Sequence, residues 1–273
     1  HQGITVDNYN TNMASFTLQS STVSSTVGGD GILIQMRGTS SMTSGTIGGS
    51  SASLGNTISS NSSTGIQVNN GDTGNIASLL IRNNTISGNN AGTDLDLSQN
   101  SSLTVTVQDN TYSNQHTQVI NLAQSTTATS GTLTASIKNN TIGTQGVVDS
   151  GSQIGSGIRV ANGAVNVNIT IDSNAIHEVP NASGIELGAQ AYLVTGNVKY
   201  KIINNTIVRP TGTNQSLCGP ANQTCPVSQV FILSDSNAMG GFDQVCTAIS
   251  GTARSFSAAR STTTGAISVA TTT

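Results

Sequence analysis

The chain is short of charge. Only 8% of its residues are Asp, Glu, Lys or Arg, against roughly a quarter in ordinary soluble proteins. Its net charge is −3 and its pI about 5.4. That balance excludes nucleic acid and anionic membranes as electrostatic partners. Aromatic residues are equally scarce, at 3% with no Trp. A broad globular core usually draws on large rings, whereas a thin core between closely spaced strands can be filled by stacked aliphatic residues. No apolar run approaches the roughly 20 residues of a membrane-spanning helix. There is no signal peptide and no initiator Met before His1, as expected of a mature chain or of a segment cut from a longer one.

Cysteine is scarce too. Cys218 and Cys225 bracket a short loop, and a disulfide between them is expected, which implies an oxidising compartment. Cys246 is then left over, and all three pairings remain open. No C-x-x-C occurs and the three His are scattered, so neither a metal nor another cofactor is expected.

What remains is Ser, Thr, Asn, Gln and Gly, with Ile, Val and Leu set among them at intervals. A short phrase recurs: Asn83-Asn84-Thr85-Ile86, Asp109-Asn110-Thr111-Tyr112, Asn139-Asn140-Thr141-Ile142, Ser173-Asn174-Ala175-Ile176 and Asn204-Asn205-Thr206-Ile207, with Gly55-Asn56-Thr57-Ile58 before them. Its anchors Asn56, Asn84, Asn110, Asn140, Asn174 and Asn205 are separated by 28, 26, 30, 34 and 31 residues. A degraded copy, Ser20-Ser21-Thr22-Val23, precedes them, and Gly251-Thr252-Ala253 follows.

Most anchors follow an alternating strand, such as Leu103, Val105, Val107 before Asn110, or Val167, Ile169, Ile171 before Asn174. Ala77, Leu79, Ile81 and Ala14, Phe16, Leu18 fit the same template, as do Val245 and Ile249 in a last copy. Period two with one apolar face marks a half-buried strand. In the second copy Ser51 and Ser53 fall in these places, so that coil is irregular.

A second strand follows each anchor: Ile32-Leu33-Ile34, Ile66-Gln67-Val68, Leu95-Asp96-Leu97, Ile120-Asn121-Leu122, Ile158-Arg159-Val160, Ile185-Glu186-Leu187, Phe231-Ile232-Leu233 and Ile267-Ser268-Val269. Gly31, Gly65, Gly157 and Gly184 directly precede four of them, which suggests a corner needing positive φ or close backbone approach.

Equivalent strands about 30 residues apart cannot be hairpin partners, but they can stack in parallel, one rung above the next. The predicted fold is all-β, a parallel β-helix (β-solenoid) of about eight coils. It forms one domain over residues 1–273, with a loop insertion at 208–230. Parallel crossovers favour a right-handed path. Stacked at one corner, the anchor Asn amides can form a ladder, each donating to one rung and accepting from the other.

These phrases, N-N-T-I after an alternating strand and G-I-x-V after a loop, resemble the right-handed parallel β-helix repeats of the pectin-lyase-like superfamily. They look most like the repeat regions of bacterial surface adhesins and autotransporter passengers. The resemblance covers roughly residues 14–269. It implies an extracellular or cell-surface protein of bacterial type. Such a protein would act as a stalk, fibre subunit or display surface, with copies of itself or cell-surface glycans as partners.

The superfamily also contains polysaccharide lyases and hydrolases that work on an outer sheet face. The middle residues of the second strands make an outward row here: Leu33, Gln67, Asp96, Asn121, Arg159, Glu186, Ile232 and Ser268. Asp94 and Asp96, two apart on one strand, lie about 7 Å apart, inside the roughly 6.5–9.5 Å carboxylate spacing of inverting glycosidases. They are the only catalytic candidates, for the enzymatic alternative alone. The N-T-D, D-D, G-H-G and R-I-K patterns of polygalacturonases are absent. Arg159 and Glu186 are expected as an exposed ion pair, and His116, His177 and Glu178 as surface residues. Asp235 to Gly240 resembles the start of a calcium loop, but Met239 and Cys246 stand where ligands are needed. The sequons, Asn61 and Asn83 among them, follow from richness in Asn and Thr. An ice-binding face would need flat ranks of Thr, and Thr recurs mainly beside the anchor Asn.

Overall fold

A computed structural model describes residues 1–124, 130–162, 166–189 and 198–208. It adds three further strands, Val230–Leu233, Ser255–Arg260 and Ile267–Thr271. The chain winds as an all-β parallel solenoid of about six turns. Each turn visits three faces in order.

Face 1 is an eight-stranded parallel sheet. Its strands are Ile4–Tyr9, Ile32–Arg37, Thr64–Asn70, Ala91–Leu97, Ile120–Gln124, Ile158–Asn162, Ile185–Ala189 and Val230–Leu233. Face 2 stacks Asn12–Leu18, Ser41–Ile47, Asn75–Arg82, Ser102–Gln108, Thr132–Lys138, Asn166–Asp172 and Val198–Ile207. Face 3 is narrow: Thr22–Ser24, Thr57–Ser59, Thr85–Ser87, Thr111–Ser113, Thr141–Ile142 and Ala175–Ile176, continued by the end of Val198–Ile207.

Alternation along these strands sends every second side chain inward, and parallel register stacks like on like. On face 3, Ile58, Ile86, Tyr112, Ile142, Ile176 and Ile207 form one buried column. Each such side chain contributes roughly 1.5–3 kcal/mol by leaving water. Largely aliphatic columns of this kind fill the interior among the described residues, which is why so few rings are needed there.

From Asn83-Asn84 onward, the two residues that open each anchor phrase divide the work. The first occupies the left-handed region, with φ of 56° at Asn83, Asp109 and Asn204, 54° at Asn139 and 57° at Ser173. Asn and Asp tolerate that region best among residues bearing a Cβ. The second is the anchor itself. Glycines before the face 1 strands serve close approach instead of positive φ. A Cβ on Gly31 would lie 2.7 Å from the carbonyl oxygen of Gly65, and one on Gly157 would lie 2.7 Å from that of Gly184.

Several strand readings are corrected. Ala77 is exposed and Ile76 takes the inward place, because Asn75–Arg82 carries an extra residue against Ser102–Gln108. Ala14 likewise yields to Met13, which packs against the core. The second coil's strand is Ser41–Ile47, and a short 3₁₀ turn at Ala52–Leu54 separates it from Asn56. The serines at 51 and 53 therefore belong to an excursion, not a strand. In the fourth rung of face 1, Thr93-Asp94-Leu95 lies beside Ile66-Gln67-Val68, two residues earlier than expected. At the far end, Val230-Phe231-Ile232 pairs with the rung of Glu186.

Ile267–Thr271 forms no eighth coil. It pairs antiparallel with Ser255–Arg260, which itself pairs antiparallel with Val198–Ile207. That edge of face 2 is thus covered by the chain's own strands. Positions 245–253 and 209–229 lie outside the described residues, and with them Cys218, Cys225, Cys246 and nearly all of the 208–230 insertion.

Candidate functional site

The anchor amides bond rung to rung. Asn56 Nδ2 donates to Asn84 Oδ1 at 2.9 Å, Asn84 to Asn110 at 2.9 Å, and Asn110 to Asn140 at 3.1 Å. Asn140 donates to Asn174 and Asn174 to Asn205, both at 2.9 Å. Each Oδ1 also accepts a backbone N–H from the preceding rung, and each Nδ2 reaches a carbonyl there, as Asn110 does to Ile81 at 2.9 Å. All six residues are buried.

A second, shorter ladder stands five residues further along three successive coils, and the sequence reading missed it. Asn61 Nδ2 donates to Asn89 Oδ1 at 2.9 Å, and the Asn89 backbone N–H donates to Gln115 Oε1 at 3.2 Å. The spacing Asn56/Asn61, Asn84/Asn89 and Asn110/Gln115 was the available signal. Its burial also closes Asn61 to glycosylation.

The outer surface of face 1 carries the candidate chemistry. Register places Leu33, Gln67, Asp94, Asn121, Arg159, Glu186 and Phe231 in one column. Asp94, not Asp96, therefore stands in the expected row. Asp96 falls in the next column with Gln35, Asn69 and Ala123. Ser268 lies outside both.

A chain of polar contacts follows these columns. Gln67 Nε2 donates to Asn69 Oδ1 at 2.8 Å and to Asp96 Oδ2 at 3.1 Å. Asn121 Nδ2 donates to Asp94 Oδ1 at 2.7 Å. Arg159 Nη1 donates to Asn121 Oδ1 at 3.2 Å, while its Nε faces Glu186 Oε1 at 3.4 Å. Ser156 Oγ donates to Glu186 Oε2 at 2.5 Å. The Arg159–Glu186 pair was expected to be exposed, but its neighbours half-bury it.

Asp94 and Asp96 are outward neighbours on one strand, and each accepts from a flanking amide. Burial pushes Asp94 up to about 6, and the charge of Asp96 adds to the shift. Asp96 is also raised by burial, with the bond from Gln67 opposing.

Elsewhere, His116 is exposed and its Nδ1 lies 2.8 Å from Gln153 Oε1. His177 is half-buried, and that burial holds its imidazole below the usual value against the opposing charge of Glu178. Glu178 is buried, contrary to expectation, and accepts the Gly146 N–H at 3.0 Å. It fastens the 143–151 excursion to the next coil and stands apart from the face 1 columns. The calcium-like stretch at 235–243 lies outside the described residues. Comparison of the chain with protein-family models, with curated proteins and with solved structures finds no match.

Proposed function

We propose that this chain is a structural or adhesive rod of an extracellular surface, of the right-handed, pectin-lyase-like kind used by bacterial adhesins. It would present face 1 to cell-surface glycans. The observation that carries this reading is the amide ladder from Asn56 to Asn205, which joins successive coils in addition to their parallel strand pairing. Both sets of bonds run along the axis, so tension on the rod is shared among many of them. On the outside, the half-exposed amide and carboxyl groups of Asn69, Asp94 and Asp96 can bond sugar hydroxyls on adjacent rungs about 4.8 Å apart.

Electron microscopy of native material at the cell surface tests the structural half. Filaments with coils stacked along the axis support it, and isolated monomers count against it. A polysaccharide-active enzyme is the second reading, favoured by the near-neutral titration of Asp94, which suits a general acid. A polysaccharide panel would reveal it as cleavage that is lost in Asp94→Asn and Asp96→Asn.

A further inference from the structure

Thr recurs beside the anchor Asn, and the fold turns that recurrence into a rank on the outer side of face 3. Strand pairing stacks Thr22, Thr57, Thr85, Thr111 and Thr141 without a register shift, and Ser24, Ser59, Ser87 and Ser113 beside them. The Thr are exposed, and the Ser exposed or half-exposed. The backbone N–H of Thr57, Thr85, Thr111 and Thr141 each meets a carbonyl of the preceding coil at 2.9 Å. Rungs are therefore evenly spaced, about 4.8 Å apart, with about 7 Å between the two ranks. Amide ladders hold both margins of the strip. Asn56, Asn84 and Asn110 stand immediately before the Thr, and Asn61, Asn89 and Gln115 stand two residues after the Ser. Beneath lies the buried column of Ile58, Ile86, Tyr112 and Ile142.

Among the described residues, no hydroxyl of either rank bonds another protein group. Outward groups elsewhere do bond one another, as Gln67 does with Asn69 and Ser41 with Asn12. The strip carries no charge that would hold its own hydration shell, and no outward ring on which a sugar could stack. Its match is an uncharged lattice whose members each give and take hydrogen bonds. We propose that face 3 binds ice. The Thr and Ser hydroxyls order water at positions that continue into the crystal, and the Thr methyls fill the gaps between them. Spacings of about 4.8 Å and 7 Å lie close to the oxygen repeats of ice along two perpendicular directions. The two ladders fix those spacings in advance, and Thr is stiff at χ1, so little freedom is lost on binding. The strip lies on a different face from the surface assigned above to glycans, and it stands without that reading.

Ice growth in a solution of the full chain is the test. The chain is expected to hold a seed crystal without growth over a measurable gap below its melting point, and to slow the coarsening of small crystals. Thr85→Tyr with Thr111→Tyr sets bulk on the middle of the rank and should abolish most of the gap, with the circular dichroism unchanged. Thr85→Val with Thr111→Val keeps the shape without the hydroxyls and should at least halve it. Thr104→Tyr, exposed on face 2, should leave it intact. An unaltered chain with neither effect on ice would overturn the proposal, as would a gap that survives both face 3 variants. Retention on microcrystalline cellulose that the Tyr variant abolishes, with no effect on ice, would also overturn it and assign the ranks to a crystalline polysaccharide.

Discussion

Replacing Asn110 with Ala tests the physics of the ladder most directly. The side chain takes part in four hydrogen bonds. Its Nδ2 serves Ile81 O and Asn140 Oδ1, and its Oδ1 receives Asn84 N and Asn84 Nδ2. After truncation Asn140 Oδ1 keeps the Asn110 backbone N–H, and Asn84 Nδ2 keeps the Ile47 carbonyl. The Asn84 backbone N–H and the ladder-side lone pair of the Ile81 carbonyl lose their partners inside a dry corner. At about 1–3 kcal/mol for each unmet buried group, plus a small cavity, the loss comes to about 3–5 kcal/mol. Asn56→Ala is the internal control. Its Oδ1 serves Ser21 N, which is only partly buried, so water can replace the bond, and the loss should be about 1–2 kcal/mol. Urea denaturation followed by circular dichroism, with amide exchange to locate the weakened coils, would measure both. Asn110→Asp should be as damaging as Ala, because it sets an acceptor against Ile81 O and Asn140 Oδ1. Equal losses below about 1 kcal/mol at Asn56 and Asn110 would refute the claim that the ladder satisfies buried groups.

Other consequences follow from particular contacts. Tyr112 fills an Ile place in the face 3 column, and its Oη lies 2.9 Å from Thr93 Oγ1; Tyr112→Phe should cost about 1–2 kcal/mol by thermal melt, and adding Thr93→Val should restore most of it. A Cβ on Gly65 would lie 2.8 Å from the Gly92 carbonyl and 3.0 Å from Asn89 Nδ2, so Gly65→Ala should destabilise by about 1–3 kcal/mol. Gly28→Ala, with φ +73° and nothing within 4 Å, should cost only about 1 kcal/mol. Because the folded chain holds the Asp94 proton up to about pH 6 whereas 3.8 is the ordinary value, unfolding releases a proton between them, and this contribution is full below pH 4 and falls as pH rises to 6. The fall should be about 1–3 kcal/mol after allowing for partial exposure, and Asp94→Asn should flatten it.

The fold was legible because a solenoid writes the same instruction into every coil. Anchor Asn and alternating strand recur in most turns, with a Gly before four of the second strands, so an error in one coil is outvoted by the others. The errors that did occur are single departures from the period. Thr93 stands where other coils have Ile, because Tyr112 across the core needs both room and a hydroxyl. Without that partner in view, Leu95-Asp96-Leu97 made the better apolar match and the strand was read two residues late. The extra residue in Asn75–Arg82 shifted the inward place from Ala77 to Ile76 in the same way. Ile267–Thr271 has the composition of a solenoid strand, and composition carries no information on parallel against antiparallel pairing.

Those departures also bear on where function can reside. Inward and corner positions are held by stacking, so a change there is felt by the coils above and below. Outward positions on face 1 are free of that constraint, and in the column of Gln67 and Asn121 a neutral amide satisfies its neighbours at little cost. Asp94 and Asp96 break that economy. Placing two carboxyls side by side, half-buried and with neutral flanks, is less stable than the amide alternative next door. A site that gives up stability against an available neighbouring solution is where selection for something besides folding is to be sought. Asp94→Asn with Asp96→Asn should therefore raise the melting temperature at pH 7 while removing whatever the face does. A double variant that is both less stable and fully adhesive would place the function of this surface elsewhere.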